Sequence, residues 1–173
     1  MFKRTLVIVL TLLSIFLVSC AKQPITEVNV PINYEMYTLS SVVDGDTVKI
    51  YYEGNPESIR FIGVDTPETF GGNKPIGEYG KDAKYLVRNR LIKIAKESLY
   101  IDWDFDRVDN YERLLGYIYY KNENGDMIFL NEEILKSGLA RPLFYEDTSK
   151  MVETLTEAYI YAYNNRQGIF EKY

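Results

Sequence analysis

Residues 44–68 read DGDTVKIYYEGNPESIRFIGVDTPE, and this stretch is the strongest local indication of the fold. Thr47–Tyr52 partly alternates between apolar and polar residues, as a half-buried β-strand does. Ser58–Val64 is a second run rich in β-branched and aromatic residues, and Asp-Gly and Gly-Asn pairs mark turns around the two runs. With the similar run Tyr37–Val43 just before it, the stretch predicts a three-stranded meander.

Further elements follow toward the C-terminus. Apolar positions between Tyr79 and Arg90 recur at helical spacing and predict a helix of about four turns. Two more strands are predicted at Ser98–Asp104 and Leu114–Tyr120. A short helix is predicted from an Asn131 cap to Lys136, ending at Gly138, and a last helix over about 148–164. Five strands with a helix between the third and fourth indicate an α+β, mainly β fold, a five-stranded OB-fold barrel with three helices.

The composition excludes several kinds of chemistry. The chain of 173 residues has no histidine, which rules out Ser-His and Cys-His nucleophilic systems and histidine-bound zinc. Its single cysteine, Cys20, leaves the folded domain without a disulfide or a thiol nucleophile. The formal net charge of −5 predicts weak, salt-sensitive binding to any polyanion.

The N-terminus has the pattern of an export signal. A short positive start precedes an apolar run of roughly 14 residues, too short to span a bilayer comfortably. The ending LVSC resembles the lipobox of bacterial lipoproteins, which implies a signal peptide at 1–19 and a lipidated Cys20. Residues 20–36 then form a tether and 37–173 the domain; the alternative is an uncleaved anchor helix. Either arrangement predicts a domain outside the cytoplasm, attached to the membrane of a bacterial cell envelope.

Polar residues gather at the predicted strand ends. Asp44–Thr47 alone is typical of a turn, but Asp65 and Glu68 place two carboxylates at the end of an apolar strand that does not need them. Arg60 precedes Asp65 by five residues, a spacing that puts them on opposite faces of an ideal strand. We therefore expect a bend or bulge near Gly63 if the two act together.

The combination of these segments resembles the staphylococcal nuclease (thermonuclease) family. The similarity runs over about 37–170 and rests on DGDTVK, RFIGVDTPET, the Glu-Tyr-Gly that opens the first helix, and the segment from NEE to SGLA. The resemblance implies that Asp46 and Asp65 ligate a metal ion, with the backbone carbonyl of Thr66 as a third protein ligand. Glu68 matches the carboxylate usually assigned to orient or deprotonate the attacking water. Oxygen ligands of this kind suit Ca²⁺, which is the expected cofactor.

Arg60 and Arg113 match the two arginines that hold the scissile phosphate in the family. An arginine suits this role because its planar fork grips two phosphate oxygens and stays charged at any working pH. Glu112 stands where the family usually has glycine. Its carboxylate could pair with Arg113 and draw it off the phosphate, or it could face solvent; the sequence leaves both open.

The residues that are expected to contact the substrate are spread more widely along the chain than the metal ligands. Lys74 and Tyr111 match a loop lysine and a tyrosine that face the bound nucleotide, whereas Asn110 replaces a basic residue of the family. Tyr145, or Phe144 beside it, is a candidate to stack on a base. Each of these aromatic residues can equally be a packing residue, because the chain contains 16 tyrosines.

The resulting expectation is a monomeric, calcium-dependent endonuclease that cleaves single-stranded or open DNA and RNA to 3′-phosphate ends. The alternative is a catalytically weak or inactive OB-fold lipoprotein that binds nucleic acid or a protein. A structural lipoprotein that only binds calcium is a third possibility, but it leaves Arg60 and Arg113 without a role.

Overall fold

A computed structural model of the chain describes residues 33–69, 77–144 and 150–172. Six strands form one sheet in the order β3-β2-β1-β4-β5-β6, and an additional pairing joins β3 to β5. Their bounds are Glu35–Val42 (β1), Thr47–Tyr52 (β2), Asn55–Phe61 (β3), Ser98–Val108 (β4), Leu114–Lys121 (β5) and Met127–Phe129 (β6).

The pairing of β3 with β5 closes strands β1–β5 into a barrel. This ladder is parallel and aligns Arg60 with Leu115, whereas the other pairings in the sheet are antiparallel. The five-stranded barrel is thereby confirmed. The short β6 extends the sheet beyond it; this strand was not predicted, because its three residues are too few to show an alternation.

In the described residues, three α-helices accompany the barrel, as predicted. They are Gly80–Arg88 (α1), Leu130–Lys136 (α2) and Val152–Asn164 (α3), and a 3₁₀ turn follows at Gly168–Phe170. The chain continues from α1 into a π-helical turn, Asn89–Ile94, so the predicted four-turn helix is α-helical only in its first part. None of the helices in the described residues is long and apolar enough to span a membrane.

Asn131 is not the N-cap of α2, and that prediction is wrong. The capping position is Phe129, and Asn131 lies inside the helix with its side chain fully buried. Its Nδ2 donates to the Ile62 carbonyl at 2.8 Å, and its Oδ1 accepts from the Ile118 amide at 2.9 Å. The side chain therefore ties α2 to β5 and to the segment that follows β3, since buried backbone groups need such partners.

The barrel interior is apolar. Its buried side chains come from every strand of the barrel and from α1 and α2, and the fully buried ones include Ile50, Ile59, Phe61, Leu99, Ile101, Tyr117, Ile118 and Leu130. Gly116 on β5 faces this core, where an added Cβ would lie 2.7 Å from Ile101 Cγ2. The polar residues at the strand ends are therefore supported by a closely packed core.

Candidate active site

The turn between β1 and β2 positions Asp46. Gly45 has to be small, because a Cβ there would lie 2.5 Å from Ala83 Cβ on α1 and 2.8 Å from Thr66 Cγ2. This close approach brings α1 and the 65–68 turn against the Asp46 backbone. Asp46 itself is 7% exposed, an unusual degree of burial for a carboxylate.

Three neighbouring groups donate hydrogen bonds to the Asp46 carboxylate. Its Oδ2 accepts from the amide and the hydroxyl of Thr66, both at 2.8 Å. Its Oδ1 accepts from the Thr47 hydroxyl at 2.9 Å and forms an ion pair with Arg60 Nη1. These contacts compensate the desolvation of a buried charge and fix the direction in which the carboxylate points.

Arg60 connects the two candidate metal-binding carboxylates. Its Nη1 contacts Asp46 and its Nη2 donates to Asp65 Oδ1 at 2.9 Å, while its side chain is only 6% exposed. Strand β3 ends at Phe61, and Gly63 adopts a left-handed φ of 75°. The bend expected near Gly63 is therefore present, and it brings Arg60 and Asp65 together despite their five-residue spacing.

Asp65 and Glu68 lie on the turn that follows this bend. The Asp65 backbone exchanges two hydrogen bonds with Arg141, of 2.8 and 2.9 Å, and its side chain is 53% exposed. Glu68 is partly buried, and its carbonyl accepts from the Gly77 amide at 3.0 Å. A cleft of about 370 Å³ opens beside Asp65, between that turn, Tyr79 and Arg141. One candidate metal ligand therefore faces solvent, accessible to a substrate.

Arg113 lies just before β5, the strand whose Leu115 pairs with Arg60 in the parallel ladder. Its Nε donates to Asp109 Oδ2 at 2.8 Å, and its Nη2 lies 2.6 Å from the same oxygen. The other oxygen, Asp109 Oδ1, accepts from the amides of Tyr111 and Arg113, both at 2.9 Å. Burial alone would raise the pKa of Asp109, but these hydrogen bonds and the Arg113 charge hold it below its usual range.

In the described residues, Glu112 does not form an ion pair with Arg113. The carboxylate that pairs with Arg113 is Asp109, not Glu112. Glu112 adopts a left-handed φ of 62°, a conformation that glycine takes at no steric cost. This backbone requirement accounts for the glycine that the resemblance places at this position. Sequence reasoning missed Asp109, although an aspartate that opens a turn and bonds to amides two to four residues later is a known local signal.

A hard divalent cation fits the donor set that these residues present. Asp46 and Asp65 both contact the guanidinium of Arg60, so the two carboxylates converge on one positive charge. Thr66, whose carbonyl is the expected third ligand, is held against Asp46 through its amide. Carboxylate and carbonyl oxygens are the ligands of Ca²⁺ and Mg²⁺. In the described residues, no three acidic or cysteine side chains are grouped to hold a metal ion, so the candidate site depends on two carboxylates and a backbone carbonyl.

The structure describes some of the residues that are predicted to contact the substrate. Tyr111 is 81% exposed, and Arg113 Cζ lies 5.5 Å from its ring centroid, so an open aromatic face adjoins a site arginine. Phe144 packs against the core, with its Cε1 3.0 Å from the position of a Cβ on Gly63. Lys74, Tyr145 and the predicted lipidation site Cys20 lie outside the described residues.

Sequence comparisons with known proteins identify relatives of this chain. The family model described as Staphylococcal nuclease homologue matches residues 58–172. The thermonuclease of Staphylococcus hyicus is 33% identical over 138 residues, which are 80% of this chain and 77% of that protein. The thermonuclease of Staphylococcus intermedius is 33% identical over 149 residues, 86% of this chain and 84% of that protein. Endonuclease YncB of Bacillus subtilis is 39% identical over 118 residues, 67% of this chain and 52% of that protein.

The family match covers more than half of the chain, and both thermonucleases align with most of it. The structure places Asp46 and Asp65 on one guanidinium, that of Arg60, and Arg113 just before β5. The chain belongs to the staphylococcal nuclease family, and it is a hydrolase of the nuclease type.

Proposed function

We propose that the protein is a calcium-dependent endonuclease that hydrolyses single-stranded or open DNA and RNA and leaves 3′-phosphate ends. The observation that carries the proposal is the pair of contacts from one buried guanidinium, Arg60, to both Asp46 and Asp65. Apolar residues of similar size at this edge would stabilise the barrel at least as well as two carboxylates and a buried arginine do. Their convergence instead supports a site for a phosphodiester and its counter-ion.

The chain's own residues supply most of the chemistry in this proposal. Arg60 and Arg113 neutralise charge that grows on the phosphoryl oxygens, which is the main demand of phosphodiester cleavage. Glu68, on the turn after Asp65, orients the attacking water and accepts its proton. A calcium ion on Asp46, Asp65 and the Thr66 carbonyl would add Lewis-acid polarisation of a phosphate oxygen.

Both arginines are held by carboxylates before any substrate arrives. Arg60 is bound by Asp46 and Asp65, and Arg113 by Asp109. Fixing the two side chains in advance reduces the conformational entropy lost when the phosphate binds. The same ion pairs lower the free positive charge of the site, so modest affinity at physiological salt is expected.

The proposed setting is the bacterial cell envelope. A lipid on Cys20 would hold the domain on the membrane as a monomer outside the cytoplasm, and several acyl chains suffice for stable anchoring. The second candidate function, capture of nucleic acid without cleavage, is favoured by the engagement of both arginines in ion pairs, because a paired guanidinium neutralises less of the charge that grows on a scissile phosphate.

One experiment separates these functions. The purified protein is incubated with end-labelled single-stranded DNA and RNA, with Ca²⁺ or with excess chelator, and the products are analysed for terminal phosphate. We expect cleavage with Ca²⁺ only, and 3′-phosphate ends. Binding without cleavage under all conditions would support the capture function, and full cleavage in excess chelator would contradict the metal mechanism.

A further inference from the structure

The segment 81–96 is strongly basic although the chain as a whole is acidic. It contains six cationic residues and one acidic residue, against a formal net charge of −5 for the chain. One of the six, Arg90, pairs with Glu133 at 2.6 Å and is used within the fold. The remaining cations concentrate positive charge on α1, the π-helical turn and the residues just after it. The rest of the protein carries a net negative charge and repels polyanions.

Several of these residues share one side of α1. At about 100° per residue, Lys81, Tyr85 and Arg88 fall on a single stripe, and the buried Ala83 and Val87 lie on the opposite side. All three stripe residues are exposed, Tyr85 at 64%. Lys93 in the π-helical turn extends the stripe, because its Nζ lies 5.8 Å from the centroid of the Tyr85 ring. We call these four residues the α1 basic face.

The cations of this face are available to an external ligand. In the part of the chain that the structure describes, Lys81, Arg88 and Lys93 form no ion pair with a carboxylate. Solvated cations of this kind gain affinity for a phosphate backbone through release of its condensed counter-ions. Tyr85 adds an exposed aromatic ring, on which a base can stack.

The α1 basic face begins at the edge of the active site. A Cβ on Gly80, the first residue of α1, would lie 2.6 Å from the Pro67 carbonyl and 2.7 Å from the Glu68 carbonyl. The first turn of α1 is thus packed against the turn that carries Asp65 and Glu68. Lys81, the first residue of the face, directly follows Gly80 in the chain, so the face starts next to this turn and extends away from it along α1.

We propose that the α1 basic face binds the phosphate backbone of the substrate strand outside the cleavage site. The inference rests on the proposed function, because it extends the contact between the site and a nucleic acid. Continuity with the Glu68 turn and the aromatic ring of Tyr85 favour a nucleic-acid strand over an anionic lipid surface. The face compensates for a net negative body by supplying local attraction along a long strand.

The test compares two triple variants of the full chain that remove equal charge. Lys81→Gln, Arg88→Gln and Lys93→Gln together disable the face, and Lys121→Gln, Lys136→Gln and Arg166→Gln remove exposed cations elsewhere. Affinity for a DNA strand of about 30 nucleotides, which is longer than an OB domain covers, is measured by fluorescence anisotropy. The measurement is made in chelator over a range of NaCl concentrations. Cleavage with Ca²⁺ is measured on the same strand and on one of about 4 nucleotides.

The face variant should bind the long strand about 10-fold more weakly, with a salt slope smaller by about 2, since three phosphate contacts contribute roughly 0.7 each. It should cleave the short strand as the wild type does, and the control triple should match the wild type throughout. Unchanged affinity and salt slope in the face variant would overturn the inference. The inference would also be overturned if the face variant lost binding to phosphatidylglycerol vesicles but bound the strand as the wild type does. If the face binds the strand but the wild type cleaves neither substrate, the proposed function fails and this inference stands.

Discussion

Arg113 and Asp109 form a two-point ion pair in which Nε and Nη2 of the arginine both contact Asp109 Oδ2, at 2.8 and 2.6 Å. The aspartate side chain is 5% exposed and the arginine 31%. Asp109 also accepts from two backbone amides of the same turn through its other oxygen. One side chain therefore shapes the turn and aims the arginine.

Replacing Asp109 by Asn should lower kcat on single-stranded DNA by about 10- to 100-fold, with a smaller change in KM. An Asn Oδ1 still accepts from the turn amides, but its NH₂ group faces the guanidinium, and a charged hydrogen bond contributes about 1.5–3 kcal/mol. Steady-state kinetics test this. Asp126→Asn, in the exposed β5–β6 turn, is the control and should match the wild type. Wild-type or higher kcat in Asp109→Asn would show that Asp109 does not orient Arg113 for catalysis.

Asp109 should also contribute to the acid stability of the protein. Because its folded-state pKa is lowered, its stabilising effect is fully present above the unfolded pKa of about 3.9 and is lost as pH falls through the folded pKa. The difference in unfolding free energy between wild type and Asp109→Asn should be constant above about pH 5 and shrink below pH 4. Urea denaturation across this range measures it. A difference that grows on acidification would reverse the sign of the argument.

Asn131→Ala should destabilise the fold by about 2–4 kcal/mol, because it leaves the buried Ile62 carbonyl and Ile118 amide without their partner. Urea denaturation with an unchanged m-value would show this loss. Asn165→Ala is the control, since its side chain bonds a carbonyl at 2.8 Å on an exposed helix end, and it should cost well under about 1 kcal/mol. Equal costs for the two variants would contradict the role assigned to Asn131.

Calcium should raise the melting temperature of the wild type. A ligand at about 100 times its Kd stabilises the folded state by about 2.7 kcal/mol. Asp65→Asn should abolish this shift while changing the calcium-free melting temperature little, because the Asp65 side chain is 53% exposed. Differential scanning fluorimetry measures both quantities without reference to activity. An equal calcium shift in the variant would place the ion elsewhere.

Local sequence signals predicted the strands, but the turns and strand pairings of the folded chain set where the strands begin and end. Strand β3 begins at Asn55 rather than Ser58, because Glu53 and Gly54 form a tight turn with φ of 49° and 85° that pairs Tyr52 with Asn55. It ends before Gly63, where the backbone turns toward the site. Helical periodicity located α1, yet it carries no signal for the π-helical turn that follows.

The family motifs predicted Asp46, Arg60 and Asp65, and the need for a bend at Gly63 followed from the spacing alone. The partner of Arg113 was missed, because Glu112 is adjacent in sequence whereas Asp109 reaches the guanidinium only through the folded turn. Asn131 was misassigned for a related reason. Its preference for helix N-termini is local, but its actual partners, Ile62 and Ile118, belong to distant segments.

The role of Glu68 is tested by the rate at which Glu68→Gln cleaves single-stranded DNA at saturating strand and Ca²⁺. General-base catalysis contributes about 10²–10⁴-fold, so we expect kcat to fall by at least about 100-fold. The melting temperature and the affinity for the strand should stay at wild-type values. A variant that folds, binds the strand and cuts at the wild-type rate would show that this turn does not supply the catalytic carboxylate.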